Sequence, residues 1–126
     1  MTLRSIPALI DRYCEAWSEH DESRRHDLLV SVWAAGATYT DPTVHAVGAD
    51  ELLAHIARVQ ARRPGSRIIR TSEIDVHHQV ARFAWCAIEA GGKRLPEGID
   101  LAFLAADGSK IERIIGFFGP TKPRSE

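Results

Sequence analysis

At 126 residues, with 44% hydrophobic and 26% charged side chains, the chain has the size and mix of one domain that buries about two-thirds of its surface on folding. A net charge of -1 argues against nucleic acid as a partner, because phosphate binders carry a marked basic excess. The two cysteines, Cys14 and Cys86, are too few for a disulfide scaffold or a metal cage and read as small core hydrophobes. No apolar run approaches the roughly 20 residues that cross a bilayer. The segment 1–12, interrupted by Pro7 and Asp11, lacks the pattern of a secretory leader, so a cytoplasmic protein without membrane contact is expected.

Ile6, Leu9, Ile10, Tyr13, Cys14 and Trp17 recur at spacings of three and four and predict an amphipathic helix, started by Ser5 as N-cap with Pro7 in its first turn. A second helix is predicted over 22–33, with Leu28, Leu29, Val32 and Trp33 as its apolar side and Gly36 as its stop. A short strand follows over 37–41, and Asp41-Pro42 ends it because proline has no N–H for the ladder. Leu52, Leu53, Ile56 and Val59 predict a third helix over 49–62, closed by Pro64-Gly65. The arginines around its end, Arg58, Arg62, Arg63, Arg67 and Arg70, read as a solvated helix terminus.

Beyond it the period changes. Ile74, Val76 and His78, then 80–89, 99–104 and 111–118, alternate or run apolar and predict four strands in a meander, with hairpin turns at Gly91-Gly92 and Asp107-Gly108. Three helices before a run of strands mean an α+β fold in a single domain over 1–126, with a loosely held tail over 120–126.

Two carboxylates stand out. Asp100 lies within Ile99-Asp100-Leu101-Ala102-Phe103-Leu104 and shares a strand face with Ala102 and Leu104, so that face is expected to be covered. An aspartate buried in this way is usually protonated, hydrogen-bonded or functional; the alternative is an ionised carboxylate paired with a buried arginine such as Arg82 or Arg113. Asp41, before a proline, reads either as a turn cap or as a functional group. Tyr13, four residues from Trp17 and on the same helix face, is a core aromatic or a hydrogen-bond donor into a pocket. His77 and His78, adjacent in a predicted strand, face opposite sides and are not expected to share a metal. No HExxH, CxxC, glycine-rich phosphate loop or GxSxG is present, which disfavours zinc hydrolases, kinases, dinucleotide enzymes and serine hydrolases.

The order of elements, with Tyr13 and Trp17 on the first helix, Tyr39-Thr40-Asp41-Pro42 on the first strand and Gly98-Ile99-Asp100 on a later one, resembles the nuclear transport factor 2-like superfamily. Within it the pattern is similar to ketosteroid isomerase and to the SnoaL-like polyketide cyclases. The resemblance implies a cone of three helices on a curved, mostly antiparallel sheet, a cofactor-free and metal-free pocket for a small apolar or carbonyl-bearing molecule, and a homodimer. It implies Asp41 as proton shuttle, with Tyr13 and a protonated Asp100 holding an oxyanion, and Trp17, Trp33, His55, Phe83, Trp85, Ile114 and Phe118 lining the pocket. Leu101, Phe103 and Phe117, which alternate with pocket-facing positions, would form the dimer face. His55 departs from an apolar steroid pocket, and Gly98 stands where limonene epoxide hydrolases carry an arginine. The rival reading is a non-catalytic ligand-binding or dimerisation module on the same fold.

Overall fold

Ser5 starts the first helix, α1 (Ile6–Ser18), by accepting a hydrogen bond from the Ala8 N–H at 3.2 Å, with proline in the first turn where a missing N–H costs nothing. The structure is a computed structural model and describes residues 5–125. The apolar stripe of α1, from Leu9 to Trp17, is buried as its spacing requires. Helix α2 (Glu22–Val32) is capped by Asp21, whose carboxylate accepts from Arg24 N at 2.9 Å. Arg25 is buried at its inner end, and its guanidinium donates to the Glu19 and His20 carbonyls, which the end of α1 leaves free.

The predicted stop at Gly36 is corrected. Helix α2 ends at Val32, and Trp33 opens strand β1 (Trp33–Asp41) without a linker. Gly36, at φ 72°, lies inside that strand, in the stretch where its register with the last strand shifts. The glycine signal therefore marks an irregularity in a strand and not a helix terminus.

Pro42 and Thr43 then turn the chain into β2 (Val44–Val47), a strand not anticipated from the sequence, which pairs antiparallel with β1 through Asp41–Val44 and Thr38–Val47. Helix α3 (Gly48–Arg62) follows, and β3 (Arg67–Arg70), also not anticipated, runs antiparallel to a later strand. Two of the five clustered arginines, Arg67 and Arg70, thus belong to a strand and not to a helix terminus. Arg70 fixes that strand to α1 by donating to both oxygens of Asp11, at 2.7 and 3.0 Å.

Strand β4 shrinks to Asp75–His77, because His78 and Gln79 adopt positive φ and form the turn into β5 (Val80–Ile88). His77 and His78 therefore do not alternate along one strand. Their Nδ1 atoms face each other at 3.2 Å. Residues 89–97 make a longer connection than the glycine pair suggests, whereas Asp107-Gly108 forms the tight turn between β6 (Gly98–Leu104) and β7 (Ile111–Phe118). Residues 120–125 are exposed coil.

The seven strands form one curved, unclosed sheet in the order β2-β1-β7-β6-β5-β3, with β4 paired to β5. Only β1 and β7 run parallel. Helix α1 packs on β3, α3 on β1 and β2, and α2 against both helices. The core fills the concave side: Leu9, Ile10, Leu29, Val32, Leu52, Ile56, Phe83, Ile111 and Ile114 are all buried there. On the convex side Phe117 is exposed, while Leu101 and Phe103 are half-buried and Arg113 lies over the Phe103 ring at 5.4 Å. No helix among the described residues is long and apolar enough to cross a membrane.

Candidate functional site

The register of the sheet puts three residues in one row. Thr40 pairs with Ile115 and Asp100 with Gly116, so Asp41, Gly116 and Asp100 succeed one another across β1, β7 and β6. A Cβ at position 116 would lie 2.8 Å from Asp100 Oδ1 and 3.7 Å from Asp41 Cβ. The glycine thus keeps an open slot between the two carboxyl-bearing residues, a role for mid-strand glycine where another group must approach closely.

Asp100 is buried, as its strand face requires, but its partner is neither Arg82 nor Arg113. Arg82 pairs with Asp75 on the hairpin. Instead the Trp85 indole N–H donates to Asp100 Oδ1 at 2.8 Å. Gly98, opposite Trp85, makes room for this, since a Cβ there would run into the indole ring. Burial pushes the Asp100 carboxyl up to about 7, the Trp85 hydrogen bond holds it down, and the charge of Asp41 raises it further.

Tyr13 reaches the same end of the sheet from α1. Its hydroxyl is buried and finds no hydrogen-bond partner among the described residues, while its ring stacks on Trp33 at 5.8 Å. Burial raises its pKa well above the ordinary tyrosine value, and the charge of Asp100 adds to this; Trp17 opposes it without reaching hydrogen-bond geometry.

Asp41 is held from all sides. Its Oδ1 accepts from Thr43 N and Thr43 Oγ1, each at 2.7 Å, and from Val44 N at 3.1 Å. This is the turn cap that Asp-Pro suggests. Its Oδ2 accepts from Tyr39 Oη at 2.6 Å and stands 3.9 Å from His55 Nε2. Tyr39, two positions earlier on the same strand face, was not singled out as a site residue; its period-2 spacing from Asp41 was the available signal. Burial, and then the bond to Asp41, raise the Tyr39 pKa and keep it a donor. Burial lowers the His55 pKa, Asp41 opposes that, and Arg58 and Arg62 reinforce it.

These groups line two chambers that share the walls Trp17, Tyr39, Ile68 and Trp85. The inner chamber, about 30 Å³, adds Tyr13, Cys14 and Asp100, and the outer, about 380 Å³, adds Asp41, His55, Arg62, Gly98 and Phe118 among others. Of the three polar residues singled out in the sequence, Tyr13 and Asp100 thus line the inner chamber and Asp41 the outer one. Of the expected lining, Trp17, His55, Trp85 and Phe118 take part. Trp33, Phe83 and Ile114 line neither chamber: Trp33 backs the Tyr13 ring, and the other two are wholly packed in the core. A broader open groove of about 780 Å³ runs along α1 and β3, but charged groups such as the paired Asp11 and Arg70 form its walls. Among the described residues no group of three or more His, Cys, Asp or Glu is placed to hold a metal ion.

By sequence the chain matches no family model and no curated protein. By structure it matches many solved chains. A candidate isomerase of the SnoaL-like family from Agrobacterium tumefaciens str. C58 superposes with TM-score 0.82 and 29% identity, over 89% of this chain and 95% of that one. The fold is that of the nuclear transport factor 2-like superfamily. Two further solved chains are similar in fold alone. A candidate SnoaL-like polyketide cyclase from Jannaschia sp. CCS1 has TM-score 0.70 and 13% identity, over 93% of this chain and 90% of that one. A candidate ketosteroid isomerase from Kribbella flavida DSM 17836 has TM-score 0.66 and 15% identity, over 96% and 82%. Within this nuclear transport factor 2-like frame the row Asp41–Gly116–Asp100 lies on the concave side of the sheet, under α1 and α3.

Proposed function

We propose that the cavity binds a small carbonyl-bearing molecule and moves a proton at the carbon next to the carbonyl, without a cofactor, in an isomerisation or an aldol-type ring closure. One observation carries this reading: Tyr13, whose buried hydroxyl has no partner among the described residues, lines the inner chamber together with the buried Asp100. A buried hydroxyl without a partner costs about 1–3 kcal/mol, so the position is explained if an incoming oxygen completes it. A carboxyl raised to about 7 is largely neutral below that pH and donates a proton to the same oxygen. Two donors presented to one oxygen in a largely enclosed site are the arrangement that stabilises an enolate.

The outer chamber supplies the rest. Its volume of about 380 Å³ falls within the ordinary range for small-molecule sites, and Asp41 with His55 forms the wall where the abstracted proton would go. The likeness to a candidate SnoaL-like isomerase supports the same class of chemistry. A second reading, a non-catalytic ligand-binding module, draws support from the four donors on Asp41, which engage both of its oxygens in holding the turn and Tyr39.

Titration with 4-nitrophenol, whose oxygen mimics an enolate, tests the reading. Binding that falls at least tenfold in Tyr13→Phe is the expected result; tenfold corresponds to about 1.4 kcal/mol, in the range of one hydrogen bond to a charged group. Absence of binding, or binding indifferent to Tyr13, overturns it. Bound phenol with no exchange of α-protons in 3-cyclohexenone would favour the binding module.

A further inference from the structure

Two groups on the outer wall are candidates to take the proton, and their surroundings differ. Asp41 already holds three donors on Oδ1 and the Tyr39 hydroxyl on Oδ2. Both of its oxygens are thus engaged in holding the turn after β1 and the Tyr39 side chain.

His55 is in the opposite condition. Its side chain is 7% exposed, its ring stands edge-on to Trp17 at 5.7 Å and tilted against Tyr39 at 6.0 Å, and it makes no hydrogen bond to any described residue. The 3.9 Å from its Nε2 to Asp41 Oδ2 exceeds hydrogen-bond reach. The imidazole is not among the buried polar groups left without a partner, so its nitrogens are open to the outer chamber that it lines and can meet a ligand there. From this geometry we infer that His55 is the catalytic residue that takes and returns the proton, and that Asp41 is a positioning residue whose carboxylate steadies the imidazolium. The inference rests on the oxyanion role of Tyr13 and Asp100.

The step balances without another reactant. The Nε2 lone pair takes the proton from the carbon beside the carbonyl, the C–H electron pair becomes the enolate double bond, and the carbonyl π pair moves to the oxygen held by Tyr13 and Asp100. In an isomerisation the imidazolium returns the proton to another carbon. In a ring closure the enolate carbon attacks a second carbonyl, and the imidazolium protonates the alkoxide. Asp41 and Tyr39 face the ring from β1, Arg58 and Arg62 act from its own helix, and α1 contributes only the uncharged Trp17. Among the described residues Asp41 is thus the one anion beside it. Imidazolium formation is disfavoured at rest and stabilised by that single carboxylate when a proton arrives.

4-Nitrophenol again supplies the test, because a bound phenol that passes its proton to His55 leaves a coloured phenolate beside an imidazolium. Side-chain ¹⁵N NMR should show His55, assigned through His55→Gln, passing from neutral imidazole to imidazolium as the phenol is added. His55→Gln, its fold checked by circular dichroism, should still bind the phenol but hold at least tenfold less of it as phenolate at the same pH, the equivalent of one pKa unit. A wild-type complex in which phenolate forms while His55 stays neutral overturns the inference and leaves the oxyanion reading intact, as does full phenolate colour in His55→Gln. If wild-type protein binds no phenol, the oxyanion reading itself fails and the inference falls with it.

Discussion

Asp100 and Gly116 face each other across β6 and β7 so closely that a methyl group on the glycine would lie 2.8 Å from the carboxylate oxygen. Gly116→Ala therefore has a sign opposite to the usual one. Alanine in a strand interior ordinarily gains about 0.5–1 kcal/mol over glycine. Here the methyl must displace a carboxyl held by Trp85, and a loss of about 1–3 kcal/mol, the cost of overpacking, is expected. Urea unfolding midpoints of the two proteins check it; a more stable alanine variant would show that the slot is not held open.

Asp100 also makes stability depend on pH in a direction unusual for a carboxylate. Its folded pKa, about 7, lies above its ordinary value of 3.8, so the native state holds the proton longer than the unfolded chain. Its contribution is most favourable below 3.8 and is lost as pH rises towards 7, at about 1.4 kcal/mol per pH unit inside that window. Asp100→Asn should remove this slope, so the variant gains on the wild type as pH rises. Trp85→Phe should push the Asp100 titration higher still, because it deletes the one hydrogen bond that favours the charged form. Unfolding curves across pH and carboxyl NMR titration read the two effects.

Asp41 raises the His55 pKa against the effect of burial, so Asp41→Asn should move the His55 titration further down. Imidazole proton shifts in the two proteins give the comparison directly. An unchanged or raised value would mean that the 3.9 Å separation carries no useful coupling. The same variant should also lose stability, since the amide's NH₂ cannot accept from Tyr39 as a carboxylate oxygen does.

How much of this was legible in the sequence follows from the range of each signal. Ser5 with Pro7, the stripe from Leu9 to Trp17 and the alternation around Asp100 are local patterns, and each places its residues as the structure does. Strands β2 and β3 are four residues long, too short to show a period, and β3 carries arginines at both ends. Gly36 was misread because a glycine after a helical run looks like a terminus, whereas the turn of the chain happens at Trp33 within one residue. At the site, Asp41 and Asp100 could be singled out by their neighbours in the chain, but their common slot depends on the parallel pairing of β1 with β7, separated by some seventy residues. Trp85 as donor to Asp100 and the four bonds on Asp41 arise from the same cross-strand register and have no sequence signature of their own.

Tyr13 offers the sharpest separation between a structural and a functional group. If the hydroxyl belonged to the fold, removing it would cost a hydrogen bond. It makes none, and its oxygen is buried, so Tyr13→Phe keeps the stack on Trp33 and removes a desolvated polar atom. The variant is expected to be more stable than the wild type by about 1 kcal/mol, at the lower end of the cost of an unsatisfied buried group. Its affinity for 4-nitrophenol should fall at the same time, because the oxygen at the floor of the cavity loses one of its two donors. A gain in melting temperature coupled to a loss of binding is the signature of a group held at some expense to the fold for the sake of a ligand. A variant that is less stable than the wild type would instead mean that the hydroxyl is satisfied in solution, most simply by a water in the inner chamber, whose 30 Å³ is enough to hold one.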